Sequence, residues 1–370
     1  MESKLRVGII GTGVGLRTHY PGFKRTNSVE FVGLVGSSYE RAKEFATKYE
    51  FKNVFKSYKE LINSDQVDLV CVTSPNPLHL EEILLAMEKD KHILAEKPLA
   101  MNMDEIQMIL QREKKHKEKL HLIDHELRFN PYLRKVKSIL TEGQLGRPYF
   151  IRIHQQSTGY SDRNANWVWS FDETQGGGVR LAMASHLVDL INFWFDGIKP
   201  LTVKGSMDTV VRKRKDPMGM ARDIKVSDFF SADISFENEL NVQLSATAAA
   251  IGIPRFDFSI YGTDGELHFD LQNKLSGSFL TNRGKVESLD VQGVTDEERA
   301  NRASIFSGSF VYFARSIVDF LLLSNAHALD PAAKFKDALY TQALLDAIKV
   351  SSLEGTIIKL NEGYRCDSLI

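Results

Sequence analysis

The run Gly11-Thr12-Gly13-Val14-Gly15 follows the short apolar stretch Leu5–Gly11 and constrains this chain more than any other feature. Glycines spaced this closely after a strand permit a tight turn and let the backbone approach a diphosphate. The helix that follows offers its unpaired N–H groups to the same anion. The usual third glycine or alanine falls at position 16, which is Leu16; Gly15, one place earlier, supplies the close packing through an altered turn. Gly11, Thr12, Gly13, Val14 and Gly15 are therefore read as a dinucleotide cradle.

The surrounding pattern agrees. Apolar runs at Phe31–Gly36, Val67–Thr73, His92–Glu96 and Leu120–Asp124 alternate with helical spacing over Glu40–Tyr49, Leu78–Lys89 and Met103–His116. Strands separated by helices of that length predict a doubly wound parallel sheet. After Leu140 the pattern changes. Pro148–Gln156, Leu201–Lys213, Phe229–Phe236, Leu240–Ala248, Arg255–Tyr261 and Glu266–Leu271 read as strands, with helices at Leu181–Phe195, Phe310–Leu323 and Ala332–Ser352. The fold class is thus α/β: a Rossmann domain over 1–125, then an α+β domain over 126–370 with a large, open, mostly antiparallel sheet. Arg212–Val226 and Gly293–Ala303 read as the mobile stretches.

An acid at the end of the second strand would bind a ribose 2′-hydroxyl and select NAD. That strand ends in Gly36-Ser37-Ser38, with Arg41 close behind. This composition favours NADP slightly over NAD, although Ser37 and Ser38 also suit a helix cap. A formal net charge of -1 gives no reason to expect nucleic acid or a membrane surface as partner. The basic run Arg212-Lys213-Arg214-Lys215 reads as a solvated loop. Cys71 reads as core and Cys366 as tail; neither has metal-ligand spacing, no metal is expected, and a cytoplasmic setting is the default.

Three further motifs carry a resemblance. Ala95-Glu96-Lys97-Pro98 ends the fourth strand, Thr73-Ser74-Pro75-Asn76-Pro77-Leu78-His79 follows the third, and Leu127-Arg128-Phe129-Asn130-Pro131 comes after the fifth. With Gly176-Gly177-Gly178 ahead of a helix bearing His186 and Asp189, and Tyr261-Gly262-Thr263-Asp264-Gly265-Glu266-Leu267, the chain resembles the glucose–fructose oxidoreductase, inositol dehydrogenase and rhizopine-catabolism (Gfo/Idh/MocA) family. The resemblance implies a Rossmann domain, a second sheet domain often used for oligomer contacts, Lys97 beside the nicotinamide and substrate hydroxyl, and His186 as proton carrier. It also implies a cis peptide before Pro98. In the family an aspartate commonly stands four residues before the histidine; here that position is Ala182. Val226-Ser227-Asp228-Phe229-Phe230 and Phe335-Lys336-Asp337-Ala338-Leu339-Tyr340 are similar to the branch of glucose–fructose oxidoreductase domain-containing proteins.

The chemistry of the side chains fits this outline. Hydride transfer from a carbinol needs a base for the hydroxyl proton and positive charge near the developing alkoxide. Lys97 suits the charge and His186 the base, with Asp189 on the same side of the helix. Asn76 and His79 fall near where the nicotinamide ribose would lie, His79 suiting a helix start without a ligand role equally well; Ser74 and Pro75 are further cofactor candidates, and Glu96 suits orienting a neighbour, accepting from the cofactor region or a structural ion pair. Arg128, Tyr160, Trp167 and Asp189 are the substrate candidates, the aromatic stretch Tyr160–Trp169 suiting a sugar; Arg128 also suits a tie between the two domains, Trp167 and Trp169 a loop anchor, and Asp189 a structural salt bridge or cap. The expected activity is NAD(P)-dependent oxidoreduction of a sugar, polyol or related cyclic alcohol, in a homodimer or homotetramer. The alternative is a dinucleotide-binding regulatory or scaffold protein without turnover.

Overall fold

The computed structural model describes residues 4–270, 274–291, 294 and 305–360. The chain forms two compact units, Met1–Asn130 with Phe306–Ala338, and Pro131–Ile305 with Leu339–Ile370.

In the first unit β1 (Leu5–Ile10), β2 (Val29–Val35), β3 (Leu69–Val72), β4 (His92–Ala95) and β5 (His121–Ile123) form a sheet in the order β2-β1-β3-β4-β5. Every pairing is parallel. All four residues of β3 are buried, as a central strand covered on both faces requires. Ser38, Ser57 and Asn102 cap the helices Tyr39–Lys48, Tyr58–Asn63 and Met103–Glu113 by accepting backbone N–H bonds. The chain runs from β1 to β2 on one side and crosses to β3 on the other. The carboxyl ends of β1 and β3 therefore flank the switch point where such sheets bind ligands.

The sequence boundary at residue 125 and the observed units differ in one important respect. The helix Ile305–Leu323 returns to the first unit. Its Phe310, Phe313, Ala314 and Ile317 are fully buried in one cluster with Val7, Ile9, Phe23, Leu34 and Phe129. These helix positions form a single apolar stripe, which the Rossmann sheet buries. By length and composition this 19-residue helix could also cross a membrane, unlike any uninterrupted apolar run in the sequence. It carries Arg315 and Asp319, and its stripe is committed to the core.

The second unit is built on a nine-stranded sheet that includes β6 (Pro148–Gln156), β7 (Pro200–Asp208), β10 (Phe229–Phe236), β11 (Asn241–Thr247), β12 (Arg255–Gly262) and β13 (Gly265–Asp270). Among the described strands of this sheet only β6 and β11 pair in parallel; the other pairs are antiparallel. Alternate residues face a helical layer, where Trp194 packs on Phe258 and Tyr132 on Phe269. The opposite positions form polar cross-strand pairs, Arg152 with Asp257, His154 with Ser245 and Ser259 with His268.

The expected strand Leu201–Lys213 is two strands. β7 stops at Asp208, and β8 (Lys213–Lys215) pairs with β9 (Ala221–Asp223) as a separate hairpin. This overturns the reading of the basic run as a solvated loop. Arg212, Lys213 and Lys215 are exposed, but Arg214 is buried and donates to the carbonyls of Tyr160, Asp162 and Ala165 above the Phe171 ring. Strand alternation turned one cation of four inward, and three carbonyls and a ring face accommodate it. Of the second expected mobile stretch, Gly293–Ala303, only Val294 is among the described residues; Cys366 is outside them.

Candidate functional site

The glycine turn has two tight positions and one open one. Gly11 adopts φ +110°, and a Cβ there would lie 2.3 Å from the Thr73 carbonyl oxygen. A Cβ on Gly15 would lie 2.5 Å from both Ile9 Cγ2 and Thr73 Oγ1. On Gly13 it would meet nothing within 4 Å. Gly11 and Gly15 thus let the turn close on β1 and β3, and Gly13 leaves its outer side clear. The early third glycine has a structural counterpart: Gly15–His19 forms a π turn, with the Tyr20 N–H donating to the Gly15 carbonyl. The extra residue in that turn takes up the shortened spacing. Thr73, after β3, locks the arrangement by donating its hydroxyl to the Ile10 carbonyl at 2.7 Å.

The other cofactor candidates divide. Ser37 and Arg41 are exposed beyond β2, with the Arg41 guanidinium 5.4 Å above the Phe45 ring. Ser38 caps the following helix, accepting the Arg41 N–H at 3.3 Å. Pro75 is exposed and Asn76 buried at the start of a short 3-10 turn. The Ser74 hydroxyl is engaged by Glu82 at 2.6 Å, a carboxyl that burial pushes up to about 7. His79 departs from expectation. It has no exposed surface, and its two nitrogens lie 3.0 Å from the carbonyls of Pro98 and Ser74. Burial holds this ring below the usual histidine range against both acceptors. It staples two loops together rather than facing a ligand.

Lys97 follows β4, half-buried, and the Lys97–Pro98 peptide is cis. Beneath it lies a charged cluster that includes two groups the sequence reading missed. His19 Nε2 stands 2.9 Å from Asp124 Oδ2 and 3.2 Å from Glu96 Oε1, and the ring is completely buried. The other oxygen of Glu96 accepts the Lys97 N–H at 3.3 Å. Burial opposes the charge on His19, but Asp124, Cys71 and Glu96 together raise its pKa well above the ordinary value. Burial pushes Asp124 up to about 6, whereas His19 and then Lys97 keep Glu96 below the ordinary carboxylate value despite burial. Among the described residues this trio is the one whose ligand atoms, all within 4.8 Å of one another, have the spacing of a metal site. The 2.9 Å contact of the imidazole with the Asp124 carboxylate is short enough for a charge-assisted hydrogen bond. His19 and Asp124 stand far apart in sequence, so no local motif joins them. The available signal was positional: Asp124 ends β5 as Glu96 ends β4.

Arg128, a substrate candidate, is buried and contacts Asp337 at 3.4 Å and the Pro331 carbonyl at 3.5 Å, tying down the returning segment. In the second unit His186 and Asp189 are both buried on the helix Ser185–Trp194, whereas Ala182, in the π turn ahead of it, is exposed. Tyr160 and Trp167 do not form an open sugar platform. They pack against Phe171, Ile224 and Val226 in a small core beneath the β8–β9 hairpin. The Tyr160 hydroxyl donates to the Ser170 carbonyl at 3.2 Å, and Arg222 lies 5.0 Å over the Trp167 ring.

Residues 5–123 match the family model described as an oxidoreductase family with an NAD-binding Rossmann fold, and residues 133–268 match the GFO/IDH/MocA C-terminal domain. The chain belongs to the Gfo/Idh/MocA oxidoreductase family. It is 24% identical to an uncharacterized oxidoreductase of Synechocystis over 95% of this chain and 94% of that one. It is 25% identical to the mouse glucose-fructose oxidoreductase domain-containing protein 2 over 94% of this chain and 91% of that one. Its fold matches that of levoglucosan dehydrogenase in complex with NADH and levoglucosan, with a TM-score of 0.83 at 22% identity, covering 97% of this chain and 100% of that one.

Proposed function

We propose that this family member is an NAD(P)-dependent oxidoreductase acting on the CH–OH group of a sugar, polyol or related cyclic alcohol. The observation that carries the reading is the open volume over Gly13, held between two glycines that pack directly on β1 and β3. It suits a diphosphate, which Gly11 to Gly15 would hold through backbone N–H groups. The nicotinamide, when bound, accepts or donates the hydride. Lys97 supplies positive charge at the substrate oxygen, stabilising an alkoxide and holding the proton that leaves or returns. Its place after β4, at the carboxyl end of the sheet, is where such folds gather ligands. The assignment of His186 as proton carrier rests on the family resemblance and on its helix with Asp189. Levoglucosan, an anhydrosugar bound by the structural neighbour, indicates the substrate class to try first.

The cofactor is NADP in this reading. No acid stands at the end of β2, while Ser37 and Arg41 are exposed just beyond it. The assembly is a homodimer or homotetramer, in keeping with the family's use of its sheet domain and measurable by light scattering.

Turnover of a sugar and polyol panel with NADP and NAD tests the proposal directly. Lys97→Ala should lower kcat by about a thousandfold or more while nicotinamide fluorescence still reports binding. Equal turnover in variant and wild type would remove Lys97 from its role. Cofactor binding with no turnover on any alcohol would favour a regulatory or scaffold protein instead.

A further inference from the structure

His19 has no part in the reaction as described, yet it is the most completely enclosed charge in the first unit's cluster. Its ring stacks on Phe310 with centroids 4.5 Å apart. Gly22, one turn on, leaves room for that phenyl ring, since a Cβ there would lie 2.3 Å from Phe310 Cδ1. Nε2 serves both Asp124 and Glu96, whereas Nδ1 is buried without a hydrogen-bond partner among the described residues. The acids themselves are fixed by their backbones. The Glu96 N–H donates to the Val72 carbonyl at 2.9 Å and the Asp124 N–H to the Ala95 carbonyl at 2.7 Å. Only their side chains can answer a change in charge.

We propose that His19 is a positioning residue: as an imidazolium it supplies the countercharge for Glu96 and Asp124, and so keeps the peptide that bears Lys97 in register with the glycine turn. The proposal rests on the redox reading above. A buried carboxylate, Asp124, with the partly buried Glu96 beside it demands a nearby cation. The groups that act on them are His19, Lys97, His79 and Glu126. Burial, with Asp124 and Glu96 beside it, raises the Glu126 pKa well above its ordinary value, so this neighbour resists carrying a further negative charge. His79 is pushed by burial towards its neutral form. Of the two cations, His19 acts on each acid more strongly than Lys97 does. Without the imidazolium the demand falls on the Lys97 ammonium, which turns towards the carboxylates and away from a substrate oxygen. The His19–Glu96–Lys97 N–H chain of contacts also links the π turn to the end of β4.

The test is a double-mutant cycle in the full-length chain with His19→Gln, Asp124→Asn and both together. His19→Gln keeps a polar side chain but leaves the acids without their cation. It should lower kcat about a hundredfold, with KM and cofactor affinity changed by less than about threefold. Adding Asp124→Asn removes the excess negative charge and should bring kcat back to within about tenfold of wild type. The wild-type pH–rate profile should lose activity as the ring deprotonates, and the double variant should keep its activity across that pH. A cycle in which Asp124→Asn adds its own loss, or a double variant whose activity falls at the same pH as wild type, overturns the assignment. A wild-type chain silent on every alcohol is a failure of the redox reading. The cycle is then read in melting temperature, where recovery supports the countercharge and additivity overturns it. If His19→Gln does not fold, a folded double variant supports the proposal and an unfolded one overturns it.

Discussion

Two glycine-rich turns lead into helices in this molecule, each through a π turn, and they use glycine for opposite ends. After β1, Gly11 and Gly15 pack against neighbouring atoms while Gly13 faces open space. Before the His186 helix, a Cβ on Gly177 would lie 2.3 Å from the Ser170 carbonyl oxygen, and one on Gly178 would lie 3.0 Å from Val226 Cβ. The second turn is filled by its own chain. Glycine there permits close packing of backbone on backbone, whereas in the first turn it leaves a surface for something else. The sequence signatures are alike; only the space beside the middle residue separates a ligand cradle from a packing device. The π turns also end differently. The first delivers a buried ionisable ring, His19. The second is followed by Ser185, whose hydroxyl donates back to the Leu181 carbonyl at 2.7 Å.

Substitution can break that contrast. Gly177→Ala forces a methyl group onto backbone that cannot swing aside. It should cost about 3 kcal/mol, a fall in melting temperature of roughly 10 °C, without weakening cofactor binding to the remaining folded protein. His19→Gln should cost about 3 kcal/mol at pH 6, with a pH dependence that Gly177→Ala lacks. A histidine pKa raised in the fold contributes stability that is complete below its unfolded value and is lost as pH rises through the folded one. The gap between wild type and His19→Gln in denaturant melts should therefore narrow towards alkaline pH. Gly13→Ala should leave stability within about 1 kcal/mol and weaken nicotinamide cofactor binding about tenfold, read by fluorescence titration. Should Gly13→Ala unfold the chain, or Gly177→Ala spare it, the distinction between the turns would be lost. Ser38→Ala should have the smallest effect, about 1 kcal/mol from the lost cap.

The first unit's sheet was legible because its strands are apolar and its helices amphipathic, and every expected strand there is present. The cradle was legible because glycine is the residue the geometry demands. His19 was not, because nothing local marks a histidine that meets two acids from distant strand ends. Tyr160 and Trp167 suggested a sugar platform because aromatic and polar residues alternate there; the same mixture builds a small core once Phe171, Ile224 and Val226 pack beside them. Arg214 was hidden by composition, since four consecutive cations suggest solvent and a hairpin's alternation turns one of them inward. The helix Pro131–Thr141 was missed although its Tyr132, Leu133, Val136 and Ile139 share one buried face.

The return of the Ile305–Leu323 helix has a consequence for how the polypeptide matures. Phe310 roofs the His19 ring, and Phe313 stacks on Phe129 at 4.4 Å, yet both emerge from the ribosome long after the strands they cover. Until then the nascent Rossmann sheet carries an unroofed apolar flank and an imidazole open to water. A fragment ending at Asn130 would keep that flank exposed and aggregate, and supplying residues 305–338 as a separate peptide is the rational way to solubilise it.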